Sequence, residues 1–208
     1  MQNFAKVTTT TTDTVTGIFD SNATLFTFNP KEITVDNEDP GFRIIESNQK
    51  NKLQSFFKKE SEDKYKNLNF WMPPSRWTAT IGVNYYGDYI NSAVYKKSGS
   101  GSNKTEWTTQ IQIPGFYEVF VYTSELPMMG WRHRGGEEKK IQYYTVKHDD
   151  GEEEISVETG RGRQGWRTLG SFYFSKGEAK ITLSDKGSES NQIIFADAVK
   201  WVYTNNNK

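Results

Sequence analysis

From Trp107 to Tyr203 the chain is a succession of short β-type runs, each stopped by a cluster of turn-forming residues. Trp107, Thr109, Ile111 and Ile113 share one parity and end at Pro114-Gly115. Phe116 to Thr123 then resumes with β-branched and aromatic residues, as the second strand of a hairpin would. Ile141 to His148 alternates and stops at Asp149-Asp150-Gly151. Further runs cover Glu154–Glu158, Ser171–Ser175, Glu178–Ser184 and Ile193–Tyr203, separated by Gly160–Gly165, Lys176-Gly177 and Asp185–Asn191. A period of 2 gives each strand two faces, and the apolar face needs a second layer to cover it. Many short strands at these intervals, with no convincing long helix and no internal repeat, predict an all-β chain folded as an antiparallel β-sandwich.

The N-terminal part has a different texture. Residues 1–30 are rich in Thr and Asn, with an unbroken threonine run from Thr8 to Thr12, and read as a linker or the fringe of a preceding module. A strand around Ala23 to Phe28 is compatible with them. Met1 to Thr14 carries no basic segment followed by an apolar one, and Met1 looks like a cut point rather than a natural beginning. The folded unit is expected over 31–205. Within it, Ile33-Thr34-Val35-Asp36 is a short β-type run that breaks at Asn37-Glu38-Asp39-Pro40-Gly41. Glu46 to Lys66 is charged and lysine-rich, with Leu53, Phe56 and Phe57 spaced as in a short surface helix; Lys50–Lys66 reads as a solvated face.

Composition narrows the functions. At 208 residues the chain is one domain or a little more. A unit of this size buries roughly 70% of its unfolded surface and needs no staple. There is no cysteine, which removes disulfides, Cys-ligated metal sites and thiol nucleophiles. Lys plus Arg and Asp plus Glu are both 26, a balance that argues against nucleic acid or anionic lipid as the main partner. No apolar stretch is long enough to span a membrane as a helix. Aromatic residues make up 14% of the chain, so the core must rest on rings, with some left for the surface.

Seven segments occur in a telling order. They are Val35-Asp36-Asn37-Glu38-Asp39-Pro40-Gly41-Phe42, Trp77, Tyr85-Tyr86-Gly87-Asp88-Tyr89, and Trp107 with Pro114-Gly115-Phe116-Tyr117-Glu118-Val119. Then come Tyr144-Thr145-Val146-Lys147-His148, Gly165-Trp166-Arg167-Thr168-Leu169-Gly170, and Ala196-Asp197-Ala198-Val199-Lys200-Trp201-Val202. This series resembles the golvesin C-terminal-like domain, which is also appended to bacterial xanthan lyases and is carbohydrate-binding-module-like. The resemblance spans Ile33 to Tyr203. It implies a jelly-roll β-sandwich that serves as an accessory module of a larger exported bacterial protein, secreted, periplasmic or on the cell surface. Two long insertions depart from the family pattern, Glu46 to Pro74 and Ser124 to Gln142.

Candidate sites follow from rings without an obvious core duty. Trp131-Arg132-His133-Arg134-Gly135-Gly136 sits in the second insertion, among Met and Gly. A loop tryptophan can stack on a sugar face while Trp131's neighbours Arg132, His133 and Arg134 donate to hydroxyls or a uronate carboxylate. The competing reading folds Trp131 over a sheet edge and pairs the arginines with Glu137 and Glu138. Tyr85, Tyr86 and Tyr89 surround a glycine turn and offer amphipathic rings to a sugar. Trp71, before Met72-Pro73-Pro74, is expected to flank the same cleft. By contrast Trp107, Trp166 and Trp201 are assigned to the core, Gly165-Trp166 being read as a turn whose ring caps one end of the sandwich, with sugar stacking as the other reading. Asp197 is expected to accept backbone N–H bonds beside the last strand. No cofactor is expected; the hard oxygens of Asp36-Asn37-Glu38-Asp39 suit either a structural calcium ion or a plain solvated turn.

Catalysis finds little support. His133 and His148 are the only histidines, and neither Gly-x-Ser-x-Gly nor a His-x-x-x-His pair is present. Gly160–Gly165 has a Gly-x-Gly-x-x-Gly outline without the βαβ setting that gives it meaning. A lyase using a Tyr base remains the minor alternative. The expected function is non-catalytic binding of a polysaccharide or oligosaccharide, and the competing class is a structural module docking onto other domains of its parent chain.

Overall fold

Twelve β-strands and no helix form among the residues that the computed structural model describes, 31–47, 64–124, 140–160 and 162–204. The expectations for 1–30, for a helix through Leu53, Phe56 and Phe57, and for the Trp131–Gly136 loop lie outside these residues. The strands are β1 (Glu32–Val35), β2 (Phe42–Ile45), β3 (Thr78–Ile81), β4 (Ser92–Lys97), β5 (Lys104–Ile111) and β6 (Gly115–Thr123), then β7 (Lys140–His148), β8 (Gly151–Thr159), β9 (Gly165–Phe174), β10 (Gly177–Gly187), β11 (Ile193–Ala196) and β12 (Val199–Thr204). They form three open sheets, ordered β1-β12-β6-β9, β2-β5-β10-β7-β8 and β11-β4-β3. Every pairing between these strands is antiparallel.

Alternation decides which faces meet. In β6, Tyr117, Val119 and Val121 are buried while Glu118, Phe120 and Tyr122 between them are half-buried. The buried set, with Val199 and Trp201 of β12, joins Trp107 and Ile111 of β5, Tyr144 and Val146 of β7, and Ile181 and Leu183 of β10 in one apolar cluster. The first two sheets therefore sandwich a core built around Trp107 and Trp201. The Trp107 Nε1–H donates to the carbonyl of Asp197 at 3.0 Å, whereas Trp201 Nε1 has no partner.

Two local expectations are corrected. The run from Trp107 and the run from Phe116 do not form a hairpin. β5 pairs with β2 and β10, β6 with β9 and β12, so Pro114-Gly115 carries the chain from one sheet to the other. Ile193–Tyr203 is not one strand either. It breaks at Asp197-Ala198, where the chain leaves β4 as a partner and joins β6.

The third sheet is covered on both sides. Val94 of β4 belongs to the main core, and Ala93 and Tyr95, pointing the other way, join Tyr85, Ile193 and Phe195 in a second cluster. Leu68 and Phe70 pack onto that cluster. The described end of the first insertion thus covers apolar surface. The Tyr95 hydroxyl fixes it, donating to the Asn67 carbonyl at 3.2 Å and accepting the Asn69 N–H at 3.0 Å. Lys96 forms a buried ion pair with Asp185, which also accepts from Asn103 Nδ2 at 2.9 Å and from the Gly101 N–H at 2.7 Å. A buried pair of this kind keeps its net worth only because the remaining oxygen valences are filled.

Candidate functional site

The site grows from two turns that meet beside β1 and β4. The first follows β1. The Asp39 N–H donates to the Asp36 carbonyl at 3.1 Å, and Asp39 Oδ2 accepts the Asp36 N–H at 2.8 Å. Asp36 Oδ1 accepts the Asn37 N–H at 2.7 Å. Gly41 closes this turn against β5, where a Cβ would lie 2.4 Å from the Thr108 carbonyl oxygen, so the backbones meet too closely for any side chain.

The second turn joins β3 to β4. Asn91 Nδ2 donates to the Tyr85 carbonyl at 2.8 Å, and the Ser92 N–H to the Tyr86 carbonyl at 3.3 Å. Gly87 has a φ of 148°, and a Cβ there would sit 2.1 Å from the Ile90 carbonyl oxygen. The Tyr86 N–H donates to both oxygens of Asp197, each at 3.2 Å, and Ser124 Oγ donates to Asp197 Oδ2 at 2.7 Å. Asp197 accepts a backbone N–H as expected, and the strand it anchors to the tyrosine turn is the last one.

The two turns lock through Ser92. Asn37 Nδ2 donates to Ser92 Oγ at 2.7 Å, and Ser92 Oγ donates to Glu38 Oε1 at 2.6 Å. Glu38 also pairs with Lys64. Between the turns lies a cavity of about 300 Å³, lined by Thr34, Asp36, Glu38, Asp39, Tyr86, Asp88, Tyr89 and Ile90. Its size sits at the lower end of ligand sites in general.

Its electrostatics are acidic. Burial pushes the Asp36 carboxyl up to about 7; the Asn37 N–H bond opposes this, and the charges of Asp39, Glu38 and Asp88 add to it. Burial also acts on Glu38, but the Lys64 and Ser92 hydrogen bonds outweigh it and hold that carboxyl below its ordinary value. Burial raises Asp197 well above the usual carboxylate range against the bonds from Ser124 and Tyr86.

The tyrosines divide. Tyr89 is 84% exposed at the rim. Tyr86 is half-buried, in contact with Tyr122 at 5.7 Å and Trp166 at 5.1 Å between ring centroids. Tyr85 is removed from the candidate set, because its ring is buried in the second cluster against Phe195 and offers no face to a ligand. Trp71 is exposed and is not among the residues that line this cavity. Trp131, Arg132, His133 and Arg134 lie outside the described residues.

Trp166 corrects the expectation of a core ring. It stands half-buried on the outer face of the first sheet, 5.4 Å from Tyr122, with the Lys200 ammonium 4.6 Å over its ring. The cause is a one-residue bulge in β9: Val119 pairs with Gly170 and Phe120 with Thr168, leaving Leu169 as the extra residue. One extra residue reverses the facing of everything before it. Phe172 and Phe174 point inward, and Trp166 points out. Thr34, Asp88, Ile90 and Tyr122 were missed in the sequence, and Trp166 was weighed there for sugar stacking but assigned to the core. Tyr122 alone carried a legible signal, since inward Val119 and Val121 put it outside by period 2.

The His148 ring packs 5.0 Å from Phe172. For the calcium expectation at Asp36–Asp39, no group of three or more metal-ligating side chains is arranged to hold an ion among the described residues. No helix among them is long and apolar enough to cross a membrane.

A search of curated protein sequences found no match. Among solved structures, the chain is similar to Paenibacillus xanthan lyase, with a TM-score of 0.57 and 20% identity over 84% of this chain and 13% of that one. A Podospora anserina GH26-CBM35 β-(1,4)-mannanase gives 0.43 and 11% identity over 86% of this chain and 29% of that one. A Phanerochaete chrysosporium exo-β-1,3-galactanase gives 0.38 and 14% over 64% and 27%. The first likeness concerns the fold, and the other two are too remote to carry an argument. The chain thus spans less than a third of the length of each of these proteins. A family model matches residues 64–203, and it runs from the tyrosine turn through the Gly165-Trp166 strand to Asp197 and Trp201: the chain belongs to the golvesin C-terminal domain family.

Proposed function

We propose that this chain is a non-catalytic, carbohydrate-binding accessory module of a larger exported bacterial protein, and that the cleft between Asp36–Asp39 and Tyr86–Ile90 is its sugar site. The folded unit is taken as 31–205, and its two facing sheets as a jelly roll. The observation that carries the reading is the lining of the cleft. Carboxylate oxygens accept hydrogen bonds from several directions, and the open ring of Tyr89 offers a face to the C–H side of a pyranose. Family membership and the shared fold with a polysaccharide lyase support it. Titration calorimetry of the full chain against a panel of soluble polysaccharides tests it. Saturable binding that Tyr89→Ala weakens about tenfold or more is expected; binding to none of them sinks it.

A second reading has its own observation. Ile81, Val83, Tyr89 and Ile90 place exposed apolar side chains along the β3–β4 connection. Such a patch suits docking onto another domain of the parent protein. Co-purification of the parent's remaining domains with this chain, lost in Val83→Glu but kept in Asp88→Asn, is the result that favours it.

A further inference from the structure

Away from the cleft, β4 buries a lysine. Lys96 is 3% exposed, its ammonium paired with the fully buried Asp185 and 5.8 Å from the centre of the Trp77 ring. Apolar residues of similar volume often serve a fold as well as such a pair does, so packing alone does not account for it. Its surroundings are specific. Asp185 Oδ2 accepts from both Lys96 Nζ and Asn103 Nδ2, the second at 2.9 Å. At the other end of the same carboxamide, Asn103 Oδ1 accepts the Ser47 N–H at 3.2 Å and the Ser47 hydroxyl at 3.4 Å. The β4–β5 connection is wrapped tightly around the carboxylate. The Gly99 N–H donates to the Asp185 carbonyl at 2.7 Å, the Asp185 N–H to the Asn103 carbonyl at 2.9 Å, and the Gly101 N–H to Asp185 Oδ1 at 2.7 Å. A Cβ on Gly99 would lie 2.4 Å from Asp185 Oδ2. An amine and a polarised carboxamide are therefore held on one carboxylate oxygen, largely out of water.

We propose that Lys96 and Asn103 join through an intramolecular isopeptide bond, formed by the folded chain itself with Asp185 as the proton carrier. This modification is independent of the sugar cleft. Burial acts to raise the Asp185 carboxyl, but the Lys96 and Asn103 hydrogen bonds outweigh it and hold it below its ordinary value, so it starts as a carboxylate able to take a proton. It takes one from the Lys96 ammonium. The freed lone pair attacks Asn103 Cγ, the Nζ–Cγ bond forms, and negative charge gathers on Oδ1, where both Ser47 donors point. Asp185 hands its proton to Nδ2 and takes the second one from Nζ. The Cγ–Nδ2 bond then breaks and ammonia leaves. The products are a secondary amide, one ammonia and a neutral Asp185, so two buried charges disappear and no oxidant or activating group is consumed. Holding the three groups together supplies the proximity that makes an amine attack on an amide feasible without an enzyme.

Mass spectrometry of the purified full chain, intact and after trypsin, tests it. The chain is expected to weigh about 17 Da less than its sequence, the mass of one ammonia. Trypsin should fail to cut after Lys96 and should release the peptide ending at Lys97 joined to the one ending at Lys104. Asn103→Ala removes the electrophile at a half-buried loop position and leaves the Lys96–Asp185 pair in place, so it should fold and return to the full sequence mass. Lys96→Arg keeps the positive charge without the nucleophile and should do the same. A parent chain at its full sequence mass overturns the proposal without recourse to any variant. A loss that persists in Lys96→Arg overturns it too, because Asn103 has then cyclised on its own backbone. A loss of about 18 Da with Lys96 joined to Asp185 overturns the choice of Asn103 as the group attacked, since water rather than ammonia has left.

Discussion

Trp201 and Trp166 lie two strands apart in one sheet and face opposite ways. Trp201 is fully buried between two sheets, its Nε1 unpartnered, surrounded by side chains that need nothing but packing. Trp166 looks outward, shared between Tyr86, Tyr122 and Lys200, at the edge of a cleft where carboxylates crowd one another. The interior is stabilised by what it excludes. The cleft carries groups that cost stability and are held in place by turns pinned to Ser92 and Asp197. Residues that weaken the fold where they stand are the ones to suspect of function.

Four experiments press on that contrast. The largest effect is expected in the interior: Trp201→Ala should cost about 3–5 kcal/mol in denaturant unfolding, as removal of a large core ring does. A loss below about 1 kcal/mol would mean the two sheets do not share one core. Next comes the link between the regions. Asp197→Ala leaves the Tyr86 N–H and the Ser124 hydroxyl without their acceptor. It should cost on the order of 2–3 kcal/mol and speed hydrogen exchange at the Tyr86 amide, loosening the cleft before the core.

The third effect is smaller and has a sign. Because burial raises Asp36 from 3.8 to about 7, the folded chain keeps a proton that the unfolded chain has released. The stability that this gives is fully present below the unfolded value and is lost as pH rises through the folded one. Asp197 is raised as well and acts in the same direction. Asp36→Asn should therefore melt higher than the parent at about pH 8, by on the order of 1–3 kcal/mol, and match it near pH 4. That figure is below the full displacement because water reaches the cleft. Thermal melts across the range decide it; equal pH slopes in parent and variant would remove the electrostatic side of the contrast. The smallest effect falls on the rim, where Tyr89→Ala should change stability by no more than about 0.5 kcal/mol while weakening ligand binding. A large stability loss there would place Tyr89 with the core rings.

Strand after strand was legible because alternation survives in the sequence wherever one face is buried. β6, β7 and β10 are examples, and the Asp149–Gly151 turn joins β7 to β8 as a hairpin. Pairing was not legible. Pro114-Gly115 has the look of a hairpin turn, yet it switches sheets, because which strand satisfies a given N–H depends on partners far along the chain. The tyrosine segment was found as a group from its residue types, but not its internal division. Tyr85 turns into the second cluster and Tyr89 into solvent, a difference made by the Gly87 turn and by Leu68 and Phe70 from a distant segment.

What the sequence determines by itself is what local chemistry determines. The β class follows from periodicity, the turns from Asp, Asn, Pro and Gly, the family from the order of its motifs, and the core role of Trp107 and Trp201 from parity. The cleft needed the tertiary structure. Asp36, Tyr86 and Asp197 are far apart in the chain and meet only when β1, the β3–β4 turn and the start of β12 are brought together. The facing of Trp166 needed it too, because a single extra residue at Leu169 reverses a strand's two faces while leaving its composition unchanged.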